Sequence, residues 1–165
     1  QPQHMIEFAY DLIKNNKLTF EKSNNDHRVV TFHDSCNVAR GSNMGDIENG
    51  QFILPREVIK AACNNFIDMP KNTIKSSTFC CGGGAGLLTD DLIDLRIKGA
   101  KPRMHALRKS EQESGVNTLA AICAICKSQF SKVLPNYDFD PYMVVSVHQL
   151  VSDAIVLSES LKQKD

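Results

Sequence analysis

Three features are missing from this sequence, and each absence excludes a class of protein. No run of eighteen apolar residues occurs, so the chain offers no transmembrane helix of its own. The pattern of a secretory signal peptide is absent from its start. The 19 basic and 19 acidic residues leave no formal net charge. This balance argues against a long basic surface, and we expect no nucleic-acid partner.

The six cysteines indicate chemistry rather than cross-linking. A chain of 165 residues can bury a stable core without disulfides. Without a secretory signal we expect a reducing, cytoplasmic compartment, where clustered cysteines more often bind metal or carry out redox reactions. The sequence begins with QPQHMIEF and has no initiator methionine at position 1. We therefore expect residues 1–165 to form one domain of a longer protein.

The spacing of apolar residues predicts strands that alternate with helices. Short apolar runs predict strands over 28–33, 77–81, 117–122 and 142–148. Helical spacing predicts helices over 4–16, 55–67, 124–134 and 149–161, and one after Thr89 that breaks or kinks at Gly99 and Pro102. Residues 36–54 have no period and predict an irregular loop. The alternation favours an α/β fold, with a mainly parallel sheet of about four strands flanked by helices.

Five of the six cysteines follow predicted strands. Cys36 comes just after the first strand, Cys80 and Cys81 end the second, and Cys123 and Cys126 follow the third. In open α/β sheets, sites form outside the carboxyl ends of the parallel strands. Three distant segments can therefore bring five thiols to one crevice.

The number of thiols and the glycines beside them favour an unusual metal centre. Structural zinc sites and ordinary cubane clusters take four ligands, so a fifth thiol is left over or bridges two metals. Neighbouring side chains of a strand point to opposite faces, so Cys80 and Cys81 reach one centre only if the backbone turns there. Gly82, Gly83 and Gly84 permit that turn, and their N–H groups could donate to sulfur.

Other interpretations of these residues stay open. The cysteines could form a zinc site that only shapes a structural or docking module, or they could be unrelated thiols. Cys123 and Cys126 could form a thioredoxin-like redox pair, which leaves the other three cysteines unexplained. The run CGGGAG fits a dinucleotide fingerprint poorly because position 87 is leucine.

The combined pattern resembles a known family. A lone cysteine, then Cys-Cys-Gly, then Cys-x-x-Cys is similar to the cysteine-rich CCG domain of the B-subunit family of heterodisulfide reductases and of related iron–sulfur oxidoreductases. The matching positions are Cys36, Cys80, Cys81, Gly82, Cys123 and Cys126. The segments HDSCNVAR, PREVIKAACNN and FCCGGGAGLLTDDL most resemble the K-subunit family of the membrane complex tied to dissimilatory sulfite reductase. Ser35 and Ala124 depart from prolines frequent in the family.

This resemblance implies a function. It implies a noncubane [4Fe–4S] cluster on the five cysteines, in the C-terminal domain of a heterodisulfide reductase-like oxidoreductase. The implied substrate is the disulfide or trisulfide form of a small sulfur-carrier protein in dissimilatory sulfur metabolism. Electrons would come from quinol through membrane subunits, so the domain would be cytoplasmic and membrane-associated through its partners. We expect an isolated fragment to be inactive, and one made in air to lose the cluster.

Two further residues have two interpretations each, and a third has one. His33 could be a ligand or proton donor, but a histidine at a strand end is more often satisfied by a hydrogen bond. Arg40 could bind an anionic substrate or pair with an acid such as Asp34. Cys63 lies in a predicted helix among small residues and is expected to be plain core.

Overall fold

The architecture is a small parallel sheet between two groups of helices. The computed structural model describes residues 3–87 and 89–157. Its strands are β1 (Val30–Phe32), β2 (Thr118–Ala121) and β3 (Val144–Ser146), in the order β1-β2-β3. Its α-helices are α1 (Met5–Lys14), α2 (Cys36–Gly41), α3 (Gly50–Ala62), α4 (Ile93–Ser114), α5 (Ala124–Val133) and α6 (Val147–Ala154). Short 3₁₀ turns link these elements.

The register of the sheet brings the ends of the strands to one edge. Phe32 is opposite Ala120, and Ala121 is opposite Ser146, with both strand pairs parallel. The first two strands are buried along their whole length, as their apolar and β-branched residues predict for a sheet covered on both faces. Each strand leads into a helix from this shared edge: β1 into α2, β2 into α5 and β3 into α6.

Two hydrophobic cores cover the two faces of the sheet. One core contains Ala120 of β2 and packs α1, α3 and α6 against the sheet. The other contains Leu119, the neighbour of Ala120, and packs α4 and α5 against the opposite face. Alternate residues of one strand thus serve different cores. The expected α/β class, with a parallel sheet flanked by helices, is confirmed.

The strand predicted over 77–81 is wrong. Lys75–Ser77 form a 3₁₀ turn that begins with a positive φ of 56° at Lys75, and no strand follows it. Backbone groups of this segment bond to side chains from other elements rather than to a neighbouring strand. Within the described residues the sheet therefore has three strands rather than four.

The other differences concern the ends and interruptions of helices. Residues 36–54 contain α2 and the start of α3, so the irregular loop predicted there is wrong for much of its length. Helix α3 begins at Gly50 rather than at Pro55, and α4 runs through Gly99 and Pro102 without a break. Buried side chains on both helices hold them against the cores and outweigh one missing backbone hydrogen bond at each proline. The predicted closing helix ends at Ala154, and residues 158–161 of that prediction lie outside the described residues.

Candidate metal centre

The first segment of the site leaves β1 and is fixed by a buried ion pair. The His33 N–H donates to the Ala120 carbonyl at 2.9 Å and so extends the strand pairing by one residue. Next comes Asp34, whose carboxylate accepts two hydrogen bonds from Arg56 of α3, at 2.7 and 2.8 Å. Both side chains are buried. Cys36 is then the first residue of α2, at the carboxyl end of the sheet.

The second segment, which carries the cysteine pair, is docked onto the first by polar contacts. The Lys75 N–H donates to Oδ2 of Asp34 at 2.8 Å, and the Thr78 hydroxyl donates to the Asp34 carbonyl at 2.7 Å. Nη1 of Arg40 donates to the Thr78 carbonyl at 3.0 Å. Arg40 therefore contacts the cysteine-pair segment, and its alternative pairing with Asp34 is wrong because Arg56 occupies that carboxylate.

The turn expected after the cysteine pair is present. Gly82 has a φ of +91° and Gly84 a φ of +51°, and both values favour glycine. Gly83 between them has a φ of −75°. A Cβ at Gly82 would lie 2.2 Å from the Arg96 carbonyl oxygen, so only glycine lets this backbone pass α4. The Gly82 N–H donates to Sγ of Cys80 at 3.3 Å, an amide-to-sulfur contact of the predicted kind.

The third segment leaves β2 and brings two more thiols to the same edge. Cys123 precedes the first residue of α5, and Cys126 is buried in the first turn of that helix. Ligand atoms of His33, Cys81 and Cys126 all lie within 4.8 Å of one another. Cys80 and Cys123 are partly buried against the core that contains Cys81 and Cys126.

The predicted site residues thus differ in how close together the structure brings them. Cys81, Cys126 and His33 form the tight group, and Cys80 joins it through its neighbour. Cys36 and Cys123 are half-buried at the same edge of the sheet and stand outside that group. Sγ of Cys36 lies 4.0 Å from Oδ1 of Asn37. Cys63 is buried in the opposite core, as expected for a structural cysteine.

Two of the clustered thiols, those of Cys80 and Cys81, have raised pKa values. Hydrogen bonding with Cys81, followed by burial, raises the pKa of Cys80. Hydrogen bonding with Cys126 raises the pKa of Cys81, with burial as a further cause. Metal binding requires thiolates, so protons must leave as the metal enters.

His33 is a neutral imidazole that has no hydrogen-bond partner in the part of the chain that the structure describes. Its side chain is fully buried, and burial together with the charge of Arg103 holds its pKa well below the usual value. Within residues 3–87 and 89–157 neither ring nitrogen has a partner, and the ring packs edge-on against Phe130 at a centroid distance of 4.8 Å. The expectation that a hydrogen bond satisfies His33 is wrong. A neutral imidazole with a free nitrogen is a competent metal ligand.

Two buried polar residues beside the thiols carry no signal in the sequence. Arg103 of α4 is fully buried and donates to the Thr73 carbonyl at 2.5 Å, while its Nε has no partner among the described residues. Gln129 of α5 accepts from Arg96 at 2.8 Å, and its Nε2 likewise has no partner in the described ranges. Their positions in the predicted helices are compatible with an inward-facing side chain but do not require one. Long polar residues are usually exposed, so nothing in the sequence predicted these two residues at the site.

These orphaned groups test whether a sulfur-rich cofactor fits. Buried polar atoms without partners in the described part of the chain include both nitrogens of His33, Oγ of Ser35, Nε of Arg103 and Nε2 of Gln129. Each such atom costs about 1–3 kcal/mol when it stays unsatisfied. Donors of this kind around thiols suit an anionic group whose sulfur atoms accept hydrogen bonds. The residues present therefore fit an iron–sulfur cluster.

Comparison with known proteins establishes the family. A model of the cysteine-rich CCG domain matches residues 30–131, which contain all five of the cysteines singled out above. The chain belongs to this family. The resemblance to the heterodisulfide reductase-like domains is thereby confirmed. No solved structure matches the chain significantly.

The curated relatives include subunits of oxidoreductases. An Hdr-like menaquinol oxidoreductase iron-sulfur subunit 2 of Archaeoglobus fulgidus is 44% identical over 155 residues, which cover 94% of this chain and 26% of that protein. The D-subunit of the dihydromethanophenazine:CoB–CoM heterodisulfide reductase of Methanosarcina mazei is 30% identical, over 93% of this chain and 34% of that protein. The chain thus spans about a quarter to a third of these relatives. In the described part of the chain, no helix is both long and apolar enough to cross a membrane.

Proposed function

We propose that this domain binds a noncubane [4Fe–4S] cluster through Cys36, Cys80, Cys81, Cys123 and Cys126, and delivers electrons to a sulfur–sulfur bond. One observation carries the proposal. Thiols from two distant segments, Cys81 and Cys126, lie within 4.8 Å of each other and of His33. The fold places the remaining three cysteines beside them or at the same sheet edge.

The chain's own residues have separate parts in this site. The five thiolates would hold the cluster, which supplies electrons when it is bound. The Gly82 N–H already donates to Sγ of Cys80, and backbone hydrogen bonds from Gly84 and Gly83 favour the thiolates of Cys80 and Cys81 respectively. His33 is placed to ligate or to deliver a proton, and Arg40 holds the cysteine-pair segment against α2.

The proposed reaction is the reductive cleavage of a disulfide or trisulfide. A disulfide takes up two electrons and two protons, its S–S bond breaks, and two thiols leave. The relatives' names, a menaquinol oxidoreductase and a heterodisulfide reductase, support an electron-transfer role of this kind. The finer proposal is that the substrate is a small sulfur-carrier protein of dissimilatory sulfur metabolism, including sulfite reduction. Quinol-oxidising membrane subunits would supply the electrons and hold this C-terminal domain at the cytoplasmic face.

A zinc site is the second candidate, and the tight group of Cys81, Cys126 and His33 is the observation that supports it. Two thiols and one imidazole within 4.8 Å of one another form a three-ligand set suited to zinc. In that case the metal would stabilise a docking module and would carry no electrons. This alternative leaves Cys36, Cys80 and Cys123 without a part in the three-ligand set.

Metal analysis of anaerobically reconstituted protein separates the two candidates. The cluster predicts a brown protein with about four irons and about four acid-labile sulfides per chain. Zinc predicts a colourless protein with about one metal per chain. Serine substitution of each of the five proposed ligands should lower iron retention, and Cys63→Ser is the matched control that should not. Equal retention in all six variants would contradict the assignment.

A further inference from the structure

Arg103 carries a buried positive charge with no ion-pair partner among the described residues. Its side chain is fully buried. Its three contacts are neutral: Sδ of Met69 at 2.9 Å, the Thr73 carbonyl at 2.5 Å and the Thr78 hydroxyl at 2.8 Å. The guanidinium also lies 5.8 Å from the centroid of the Phe79 ring. Burying a charge is costly unless an opposite charge compensates it.

Arg56 shows how this fold treats a buried arginine that only holds elements together. Its guanidinium contacts the carboxylates of Asp34 and Asp68 at 2.7 and 2.9 Å. Asp34 accepts two hydrogen bonds from Arg56 and one from a backbone N–H. This carboxylate is therefore already committed, and it reaches Arg103 only at longer range. The negative charge that matches Arg103 must come from another group.

The groups that can supply this charge are the thiols of the metal centre. Burial is the main cause that lowers the pKa of Arg103 to about 10, and Asp34, Cys81 and Cys126 act on it electrostatically in the opposite direction. Its Nη2 contacts Thr78, close in sequence to the cysteine pair. Met69, whose sulfur Arg103 contacts, belongs to the same buried core as Cys81 and Cys126. Metals are bound by thiolates, so a metal on these sulfurs brings negative charge to the core that holds the buried cation.

We infer that Arg103 is the positioning residue that compensates the negative charge of the sulfur ligands when metal is bound. Nothing in its own contacts requires a cation, since a neutral donor could serve the Thr73 and Thr78 oxygens equally. In its general form, the inference concerns any metal on these thiols. Its redox consequence rests on the proposed function. Reduction by one electron adds one negative charge to the site, and a buried cation favours that charge.

Two variants separate charge from packing. Arg103→Lys keeps the cation, and Arg103→Gln keeps an amide donor but removes the charge. Arg108→Gln is the control, because Arg108 lies on the same helix, pairs with Glu111 and stacks on Phe139 at 3.9 Å. Circular dichroism of each metal-free protein first verifies that the fold is retained.

Cadmium binding measures the electrostatic effect without iron. Cd²⁺ is titrated into each metal-free protein and followed by its thiolate charge-transfer absorbance. We expect Arg103→Gln to weaken binding about tenfold, with Arg103→Lys and Arg108→Gln close to the parent chain. Equal affinity in the parent and Arg103→Gln overturns the inference, and so does a parent chain that binds no Cd²⁺. If Arg103→Gln fails to fold, the comparison of Arg103→Lys with Arg108→Gln decides, and a tenfold loss with lysine overturns it.

The reduction potential tests the redox consequence. Iron-loaded proteins are titrated with reductant and followed by electron paramagnetic resonance. A tenfold change in the equilibrium for one electron is about 59 mV, and Arg103→Gln should lower the potential by that amount while Arg103→Lys restores it. A chain that binds Cd²⁺ with the expected dependence but retains no iron refutes the proposed function and supports the inference. An iron-loaded Arg103→Gln protein with an unchanged potential refutes the inference alone.

Discussion

Replacement of Gly82 by alanine should destabilise the domain more than any other glycine substitution on the site's side of the sheet. At a φ of +91° an alanine is strained, which costs about 1–3 kcal/mol. The added Cβ would also lie 2.2 Å from the Arg96 carbonyl oxygen and 3.0 Å from Nε2 of Gln129. Backbone overlap of this kind costs about 1–3 kcal/mol more. The expected loss is therefore about 2–6 kcal/mol, a large share of the 5–15 kcal/mol typical of a domain.

Gly115→Ala is the matched control for this prediction. Gly115 also has a positive φ, +67°, but a Cβ there would meet nothing within 4 Å. Its replacement should cost only the backbone strain, about 1–2 kcal/mol. The free energy of unfolding of each metal-free variant is measured in guanidinium chloride by circular dichroism. Equal losses at Gly82 and Gly115 would show that the close approach of the cysteine turn to α4 is not a real constraint.

Three further predictions concern the framework of the site and the cysteine in the opposite core. Asp34→Asn should cost about 3–5 kcal/mol in the free energy of unfolding, because it leaves the buried Arg56 cation with a weaker partner; a loss below about 1 kcal/mol would contradict a buried pair. Burial raises the pKa of Cys63 to about 11, so its alkylation by iodoacetamide in the folded protein should accelerate as the pH rises toward that value. A mass-spectrometric rate that is flat between pH 8 and pH 10 would refute this. Arg40→Ala should cost less than about 1.5 kcal/mol yet lower iron retention, because it releases the Thr78 carbonyl; unchanged retention would leave Arg40 without a part in the site.

The spacing of apolar residues in the sequence correctly predicted the strands whose residues are buried on both faces of the sheet. The apolar runs around β1 and β2 gave strands at the expected places, and two cysteine segments follow these strands as predicted. The cysteine pair was also placed at the shared edge, but for the wrong reason. No strand carries it there. Contacts from Lys75 and Thr78 to Asp34 do so across a long stretch of sequence, and no periodicity encodes such contacts.

The parts that sequence missed are polar residues in unusual surroundings. Arginine and glutamine are mostly exposed, so the composition of α4 and α5 gave no reason to place Arg103 and Gln129 inside. His33 was expected to find a hydrogen bond, as buried polar groups normally do. Each exception lies on a segment that lines the metal centre. These buried polar residues therefore add detail to the site that the cysteine spacing does not give.

Asp34 bonds both to Arg56 of α3 and to the segment that carries Cys80 and Cys81, and this has a consequence for how the metal centre is assembled. The loop is anchored by protein–protein contacts that involve no metal. These contacts allow the polypeptide to fold before the metal centre is inserted. Delivery then needs only a carrier that reaches the rim where Cys36 and Cys123 are half-exposed, and a damaged cluster can be replaced without unfolding the chain.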